Sequence, residues 1–278
     1  MKIVKFHGGL GNQMFIYCLY KKLKSLGNEV KADLTFYEDT SSGMNLHQGF
    51  ELEKVFGIKV NVATTDEISK VKDTLPLKRP RNKLGWLKRN NYMENIFIED
   101  KELFNKNYDY YEGYFQNYNY FKDIEQNIKD SFNFIHDDDT KFKPNSIAVH
   151  IRRTDYINNI LLGGIASEGY YNRAINYIHS ILDNSVFYIF SDDIEWCKKH
   201  LELETEHYFV HSDGKDSYKD MLLMSKCEHN IIANSSFSWW SAFLNKNNNK
   251  IVITPEKYYR KKDKIPYLNK WKQITSDD

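Results

Sequence analysis

The stretch 150–156, HIRRTDY, gathers a histidine, two arginines and an aspartate directly after the apolar run 147–149. Charge is unfavourable at the end of a buried strand, because moving an unpaired ionised group out of water costs roughly several kcal/mol. Two neighbouring guanidinium groups suit an anionic ligand such as a phosphate, since each presents several N–H donors in a planar fork. An arginine–aspartate ion pair that only holds a loop is the alternative interpretation of the same residues.

The stretch 7–13, HGGLGNQ, is a glycine-rich turn between a predicted strand, 3–6, and a helix predicted to end at Gly27. Such a turn lets the backbone approach a ligand closely and directs helix N-terminal N–H groups at a phosphate. As a dinucleotide motif it is incomplete, because the third glycine of G-x-G-x-x-G falls at Met14. Asp33 ends the next predicted strand, so a nicotinamide-dependent oxidoreductase stays an alternative, as does a turn needed only for helix–strand packing.

The elements that must position these residues are clearest after Pro144, where apolar strands alternate with amphipathic helices. The predicted strands are 147–151, 186–190, 208–210, 231–233 and 251–253. Strands that are apolar on both faces favour a parallel sheet covered by helices on both sides, and ligands of such sheets bind beyond the carboxyl ends of the strands. We therefore expect one site to be lined by the polar residues that follow strands, namely 8–13, 150–155, 191–193 and 234–240.

Length and composition predict a soluble globular protein of two domains. The 278 residues suffice for domains at 1–143 and 144–278, with the polar segment before Pro144 as the linker. The net charge of +1 supplies no basic field and disfavours nucleic-acid binding. The three widely spaced cysteines indicate neither a disulfide framework nor a zinc site. Without a leader pattern or an apolar run long enough to span a bilayer, the expected location is cytoplasmic.

Four stretches taken together resemble the α-1,2-fucosyltransferases, which are inverting glycosyltransferases that use GDP-fucose. They are 8–15, GGLGNQMF; 150–156, HIRRTDY; 191–193, SDD; and 231–240, IIANSSFSWW. The resemblance implies a GT-B-like α/β fold, in which two Rossmann-like, doubly wound domains face a central cleft. The first domain would bind the acceptor and the second GDP-fucose. The implied reaction transfers L-fucose to the 2-hydroxyl of a terminal β-galactoside with inversion.

The resemblance also implies roles for individual residues. Arg152 would hold the β-phosphate of the donor, while His150 and Asp220 would contact guanine. The whole set implied to bind GDP-fucose is Asn12, His150, Arg152, Asp192, Asp220, Asn234, Ser235, Ser236 and Phe237. The lysine and glutamate that follow the motif in related α-1,6 enzymes are replaced here by Tyr156 and Ile160, so the base of those enzymes does not carry over.

The implied mechanism requires no metal and no cofactor. Negative charge builds on the departing diphosphate, and Arg152 with the Ser235–Ser236 loop can stabilise it. The acceptor hydroxyl needs a proton acceptor, for which Asp155 is a candidate although it is also expected to pair with Arg153. Weaker candidates are Glu168, Asp33 and His47.

The expected partners are GDP-fucose and a galactose-terminated acceptor of bacterial lipopolysaccharide or O-antigen assembly. A lipid-linked acceptor would add peripheral association with the inner face of the membrane. A non-catalytic guanine-nucleotide-binding protein is a further alternative.

Overall fold

The computed structural model describes residues 1–38, 48–72, 90–210, 216–260 and 266–276. The chain forms two compact units, residues 1–133 and 134–278. The boundary was expected at 143/144. Residues 134–143 belong to the second unit, in which Lys226 Nζ lies 2.6 Å from Asp137 Oδ1 and the Phe142 ring packs against Tyr188.

The first unit is built on a parallel four-stranded sheet of order β2–β1–β4–β3. Its strands are β1 Lys2–Lys5, β2 Val30–Asp33, β3 Asn91–Met93 and β4 Tyr110–Glu112. Its helices are α1 Leu10–Ser25, α2 Thr35–Glu38, α3 Leu52–Phe56, α4 Thr65–Val71 and α5 Glu125–Ser131, with short 3₁₀ turns at Tyr118–Tyr120 and Lys122–Ile124.

The second unit is built on a parallel six-stranded sheet of order β10–β9–β8–β5–β6–β7. Its strands are β5 Ser146–Ile151, β6 Val186–Ser191, β7 His207–Val210, β8 His229–Ile231, β9 Val252–Pro255 and β10 Lys272–Ile274. Its helices are α6 Glu168–Ile181, α7 Ile194–His200, α8 Tyr218–Lys226 and α9 Ser236–Leu244.

Strand β5 is buried on both faces, as its continuous apolar run predicts. Ile147, Val149 and Ile151 pack into a core with the apolar side of α6. Ala148 faces the opposite core, which contains Met224 of α8. The α/β class and the Rossmann-like units of parallel strands are therefore confirmed.

The strand order creates a switch point beside β5. The chain runs from β5 through β6 to β7 on one side, and then returns to place β8 on the other side of β5. In open α/β sheets the loops diverge at such a point and leave a crevice at the carboxyl ends of the strands. The loops after β5, β6 and β8 therefore share one end of the sheet.

The glycine turn of the first unit is held by the buried amide of Gln13. Its Nε2 donates to the carbonyls of Gly8 and Gly49 at 3.0 and 2.8 Å, and its Oε1 accepts from the N–H of Glu51 at 2.9 Å. Gly8 has a φ of +78°, where a side chain would be strained, and a Cβ there would lie 2.8 Å from Asn12 Nδ2. Glycine is therefore required at position 8 by the backbone conformation and by the close packing of Asn12.

Among the described residues, none of the helices combines the length and apolar character needed to cross a bilayer.

The amide of Gln13 should be a major source of stability for the first unit. Gln13→Leu leaves two carbonyls and one N–H without their buried partner, and we expect the free energy of unfolding to fall by about 2–4 kcal/mol. Urea denaturation followed by circular dichroism measures the loss. The exposed Gln126, which donates to Asp130, is the matched control, and Gln126→Leu should change stability by less than about 0.5 kcal/mol. Equal losses in the two variants would contradict this role.

Candidate functional site

The loop after β5 is held in place by one carboxylate, that of Asp192. Asp192 Oδ1 accepts from the backbone N–H of Arg153 at 2.9 Å, and Oδ2 accepts from the N–H and hydroxyl of Thr154 at 3.2 and 2.6 Å. The register explains the contact, because Ile151 at the end of β5 pairs with Ser191 at the end of β6. Asp192 was expected to bind the ligand; its oxygens accept hydrogen bonds from the loop after β5.

The guanidinium of Arg152 lies between two carboxylates. Its Nε donates to Asp155 Oδ1 at 2.7 Å, and its Nη1 lies 3.3 Å from Asp192 Oδ2. A guanidinium has five N–H donors, and two of its nitrogens face these acids. Within the described part of the chain no acceptor is bonded to Nη2, and the side chain is 38% exposed. Arg152 is therefore oriented by the protein and still presents N–H groups to an anion.

Arg153 does not pair with Asp155, so that expectation was wrong. Its Nε lies 3.1 Å from Asp193 Oδ2, and its guanidinium carbon lies 4.0 Å from the centre of the Trp196 ring. Asp193 also caps α7 by accepting from the N–H of Trp196 at 3.1 Å. The turn that follows Arg152 brings Asp155 back to Arg152 instead, as an (i, i+3) pair. Arg153 thus anchors the loop to α7.

His150 is a buried imidazole with an unused polar atom. It is 7% exposed, and within the described part of the chain its Nδ1 has no hydrogen-bond partner. Its ring lies 5.7 Å from the ring of Phe237, on the face of β5 that also carries Ala148. Burial, and secondly the charge of Arg152, lower the pKa of His150 from 6.5 to about 4. The imidazole is therefore neutral near pH 7 and can donate or accept one hydrogen bond to a ligand.

The loop after β8 forms the opposite side of the crevice. Ser235 caps α9 by accepting from the N–H of Phe237 at 3.3 Å, and Ser236 is the first residue of the helix. The buried Asn234 donates from Nδ2 to the carbonyls of Leu162 and Tyr258, both at 3.1 Å. The amide of Asn234 thus ties the segment after the HIRRTDY motif to the β8 loop. Its contacts are those of a positioning residue.

The structure brings most of the predicted site residues to one end of the second sheet. They are His150, Arg152, Asp155, Asp192, Asn234, Ser235, Ser236 and Phe237. Asp220 lies in the first turn of α8, which packs against α9 and β5. Asn12 belongs to the first unit, where its Oδ1 accepts from Gln116 Nε2 at 2.7 Å.

Among the described residues, no cluster of three or more histidine, cysteine, aspartate or glutamate side chains could hold a metal ion.

The start of α1, where the glycine turn was expected to bind a phosphate, lies beside the buried side chain of Glu51. Burial raises the pKa of the Glu51 carboxyl, and a hydrogen bond from the backbone N–H of Leu10, the first residue of α1, opposes that shift. The next N–H groups of this turn, those of Asn12 and Gln13, bond to the carbonyl of Gly9 at 2.9 and 3.0 Å. A second anion at this end of α1 would meet the carboxyl of Glu51.

The weaker candidates for a proton acceptor are also accounted for. Asp33 is fully buried, and it accepts from Thr35 at Oδ1 and from the Tyr110 hydroxyl at Oδ2, at 2.6 Å. It therefore serves neither as a base nor as the ribose-binding acid of a nicotinamide enzyme. Glu168 pairs with His200 Nδ1 at 2.6 Å, and His47 lies outside the described residues.

Sequence reasoning missed Glu51 and Trp196 altogether. Glu51 lies 38 residues after Gln13, and no local spacing connects the two. Trp196 could have been found as the aromatic residue in the first turn of the helix that follows the SDD stretch.

The low pKa of His150 has a consequence for stability. The unfolded chain binds a proton at this site near pH 6.5 and the folded chain only near pH 4, so stability is lost as the pH falls through that window. Between pH 7.5 and pH 5 the loss from this group is about 2 kcal/mol. Urea unfolding of His150→Gln should show a pH dependence weaker by that amount. The non-titrating substitution Gln126→Leu at an exposed position should keep the wild-type pH dependence. Equal pH dependence of wild type and His150→Gln would contradict a buried, neutral His150.

Known proteins resemble this chain over most of its length. The model of Glycosyl transferase family 11 matches residues 1–275. The α-1,2-colitosyltransferase of Escherichia coli is 32% identical, with 98% of each chain covered. The O-antigen biosynthesis glycosyltransferase WbnK of E. coli is 33% identical over 91% of this chain and 93% of that protein. Human galactoside α-(1,2)-fucosyltransferase 1 is 27% identical over 35% of this chain and 28% of that protein. The resemblance seen in the four motifs is thus confirmed, and the chain is a glycosyltransferase that belongs to Glycosyl transferase family 11.

Proposed function

We propose that the protein transfers L-fucose from GDP-fucose to the 2-hydroxyl of a terminal β-galactoside, with inversion at the anomeric carbon. The observation that carries the proposal is the geometry of Arg152. Two carboxylates orient its guanidinium, and the neutral His150 and the ring of Phe237 lie close by at the same end of the sheet. Membership of the family supports glycosyl transfer as the reaction.

The leaving diphosphate would bind between Arg152 and the start of α9. Breaking the bond between the sugar and the β-phosphate leaves negative charge on the diphosphate oxygens, and preorganised donors lower the barrier most when they are aimed at that charge. Arg152 supplies fixed N–H donors, and the first turn of α9 adds backbone N–H groups and the Ser236 hydroxyl. These groups can stabilise the diphosphate without a metal.

The guanine base would lie against His150 and Phe237. The half-buried ring of Phe237 offers an aromatic surface, and the unpartnered Nδ1 of His150 offers a hydrogen bond to the edge of the base. Asp220 on α8 could accept from the amino and imino groups of guanine, because α8 packs on the same side of β5.

Asp155 would serve as the proton acceptor for the attacking hydroxyl. Its side chain is 44% exposed, and Oδ1 is bonded to Arg152 Nε. One carboxylate could thus orient the group that stabilises the leaving diphosphate and take the proton from the acceptor. Asp192 supports the same loop from beneath as a positioning residue.

A colitose donor is the second candidate. Colitose is the 3-deoxy analogue of L-fucose, and the identity to the E. coli α-1,2-colitosyltransferase extends over 98% of each chain. We propose an acceptor from O-antigen assembly, the process named for WbnK. If that acceptor is lipid-linked, the protein would work in the cytoplasm at the inner face of the membrane.

The decisive experiment is a transfer assay with lactose in the presence of EDTA, with GDP-fucose and GDP-colitose as parallel donors. We expect a fucosyl product whose NMR spectrum shows the linkage at the 2-hydroxyl of galactose. Faster turnover of GDP-colitose than of GDP-fucose would identify GDP-colitose as the preferred donor. Tight binding of NAD without binding of GDP, or binding of GDP-fucose without transfer, would overturn the proposal.

Loss of the Arg152 guanidinium should cripple transfer and leave the fold intact. For Arg152→Ala we expect kcat/KM to fall about 100- to 1,000-fold, because a preorganised donor to the leaving group is removed. Arg173, which donates to the carbonyl of Thr275, provides the control, and Arg173→Ala should keep the wild-type rate. Near-normal turnover of Arg152→Ala would remove Arg152 from the mechanism.

A positioning role for Asn234 predicts a loss of activity that exceeds its effect on stability. Asn234→Asp turns a carboxylate oxygen towards two carbonyls, and kcat should fall about tenfold or more at temperatures where the variant stays folded. The buried Asn245 donates to the carbonyl of Cys227 at 2.7 Å. Asn245→Asp should therefore lower the melting temperature to a similar degree and retain kcat. Parallel losses of kcat in both variants would count against the positioning role.

A further inference from the structure

Three aromatic rings meet at the carboxyl edge of the first sheet, in a group that we call the aromatic shelf: His7, Phe36 and Tyr114. They follow β1, β2 and β4, which are neighbouring parallel strands with β1 in the middle. The ring centroids of His7 and Tyr114 are 4.5 Å apart, and those of His7 and Phe36 are 6.0 Å apart. The shelf thus occupies the edge of a parallel sheet at which ligands bind.

The shelf is more exposed than the aromatic core residues of this region. Five neighbouring rings are buried and pack the core of the unit: Tyr110, Tyr111, Phe115, Tyr120 and Phe121. In contrast, Tyr114 and His7 are half-buried, and Phe36 is 42% exposed. The shelf therefore presents apolar ring surface to the outside.

The shelf is fixed from beneath. The backbone N–H groups of Tyr114 and Phe115 both donate to Glu94 Oε2, at 2.8 and 2.7 Å. His7 Nε2 lies 3.1 Å from the carbonyl of Gly113 and so ties the β1 loop to the β4 loop. A rigid platform loses little conformational entropy when a ligand binds.

Polar groups suited to hydroxyls border the shelf. The amide of Asn12 packs against Gly8, the residue after His7, and its Oδ1 accepts from Gln116. A carboxamide can donate and accept at once, as a sugar hydroxyl requires. Rings beside fixed amides form the mixed apolar and polar surface of a small-molecule site.

The local charge indicates a neutral ligand. The carboxylate of Glu94 lies at this edge, where it accepts from the N–H groups of Tyr114 and Phe115. A phosphate stacked on the shelf would meet this carboxylate. A pyranose has no charge and has an apolar face of C–H groups that stacks on aromatic rings.

We propose that the aromatic shelf binds the acceptor, by stacking of the terminal β-galactopyranose on Phe36 and Tyr114. This inference rests on the proposed function for the identity of the sugar. Phe36 and Tyr114 would then contribute to the affinity for the acceptor and not to the affinity for the donor.

Kinetics with lactose as the varied substrate test the assignment. Phe36→Ala and Tyr114→Ala should each raise the KM for lactose about tenfold, because the stacking surface is lost. The Kd for GDP should stay within about twofold of wild type. Tyr208 of the second unit is a comparably exposed aromatic residue, at 41%, and Tyr208→Ala should change neither constant.

Saturation-transfer NMR separates a failure of the shelf from a failure of the proposed function, because it detects lactose binding without turnover. Signals from the galactose ring in wild type and their loss in Phe36→Ala and Tyr114→Ala would support the shelf even if no donor were turned over. Unchanged lactose signals and KM in both variants would overturn it, as would a selective loss of GDP binding. Circular dichroism and melting temperatures show that the variants are folded.

Discussion

The site of the second unit depends on the carboxylate of Asp192 at the end of β6. It binds two consecutive backbone N–H groups and a hydroxyl of the loop after β5, and it also faces the guanidinium of Arg152. Each of these donors would otherwise have to find water or a ligand. Because one side chain satisfies them all, the loop has a defined shape before any ligand arrives, and Arg152 is presented in one orientation.

The two arginines of the motif, Arg152 and Arg153, have different partners and therefore different roles. Arg152 stands between two acids and keeps N–H groups for a ligand, while Arg153 points to Asp193 and Trp196 and is occupied there. Burial, and secondly the positive charge of Arg152, lower the pKa of His150 and keep it neutral. The orientation or protonation state of each charged residue in the motif therefore depends on its charged neighbours.

Much of this arrangement could be predicted from the sequence, because continuous apolar runs identify buried parallel strands and the residues after them must meet at one edge. His150, Arg152, Asp192 and Ser235 were located in this way. The partner of each arginine could not be predicted, since it depends on the turn at 152–156. Strands β3, β4 and β10 are three residues long, too short for any periodicity to register. Glu51 reaches α1 by tertiary packing, which leaves no local pattern.

The Glu51 carboxyl at the start of α1 acts as a built-in ligand of the first unit. A group that belongs to the chain has a far higher effective concentration than a free anion, and it is held here by a second bond between its own backbone and Gln13. A dissolved phosphate would have to displace an acid that cannot diffuse away. The first turn of α1 therefore already has a carboxyl group beside it when a ligand arrives. Related sequences in which the residue at this position is not acidic would have that end open again.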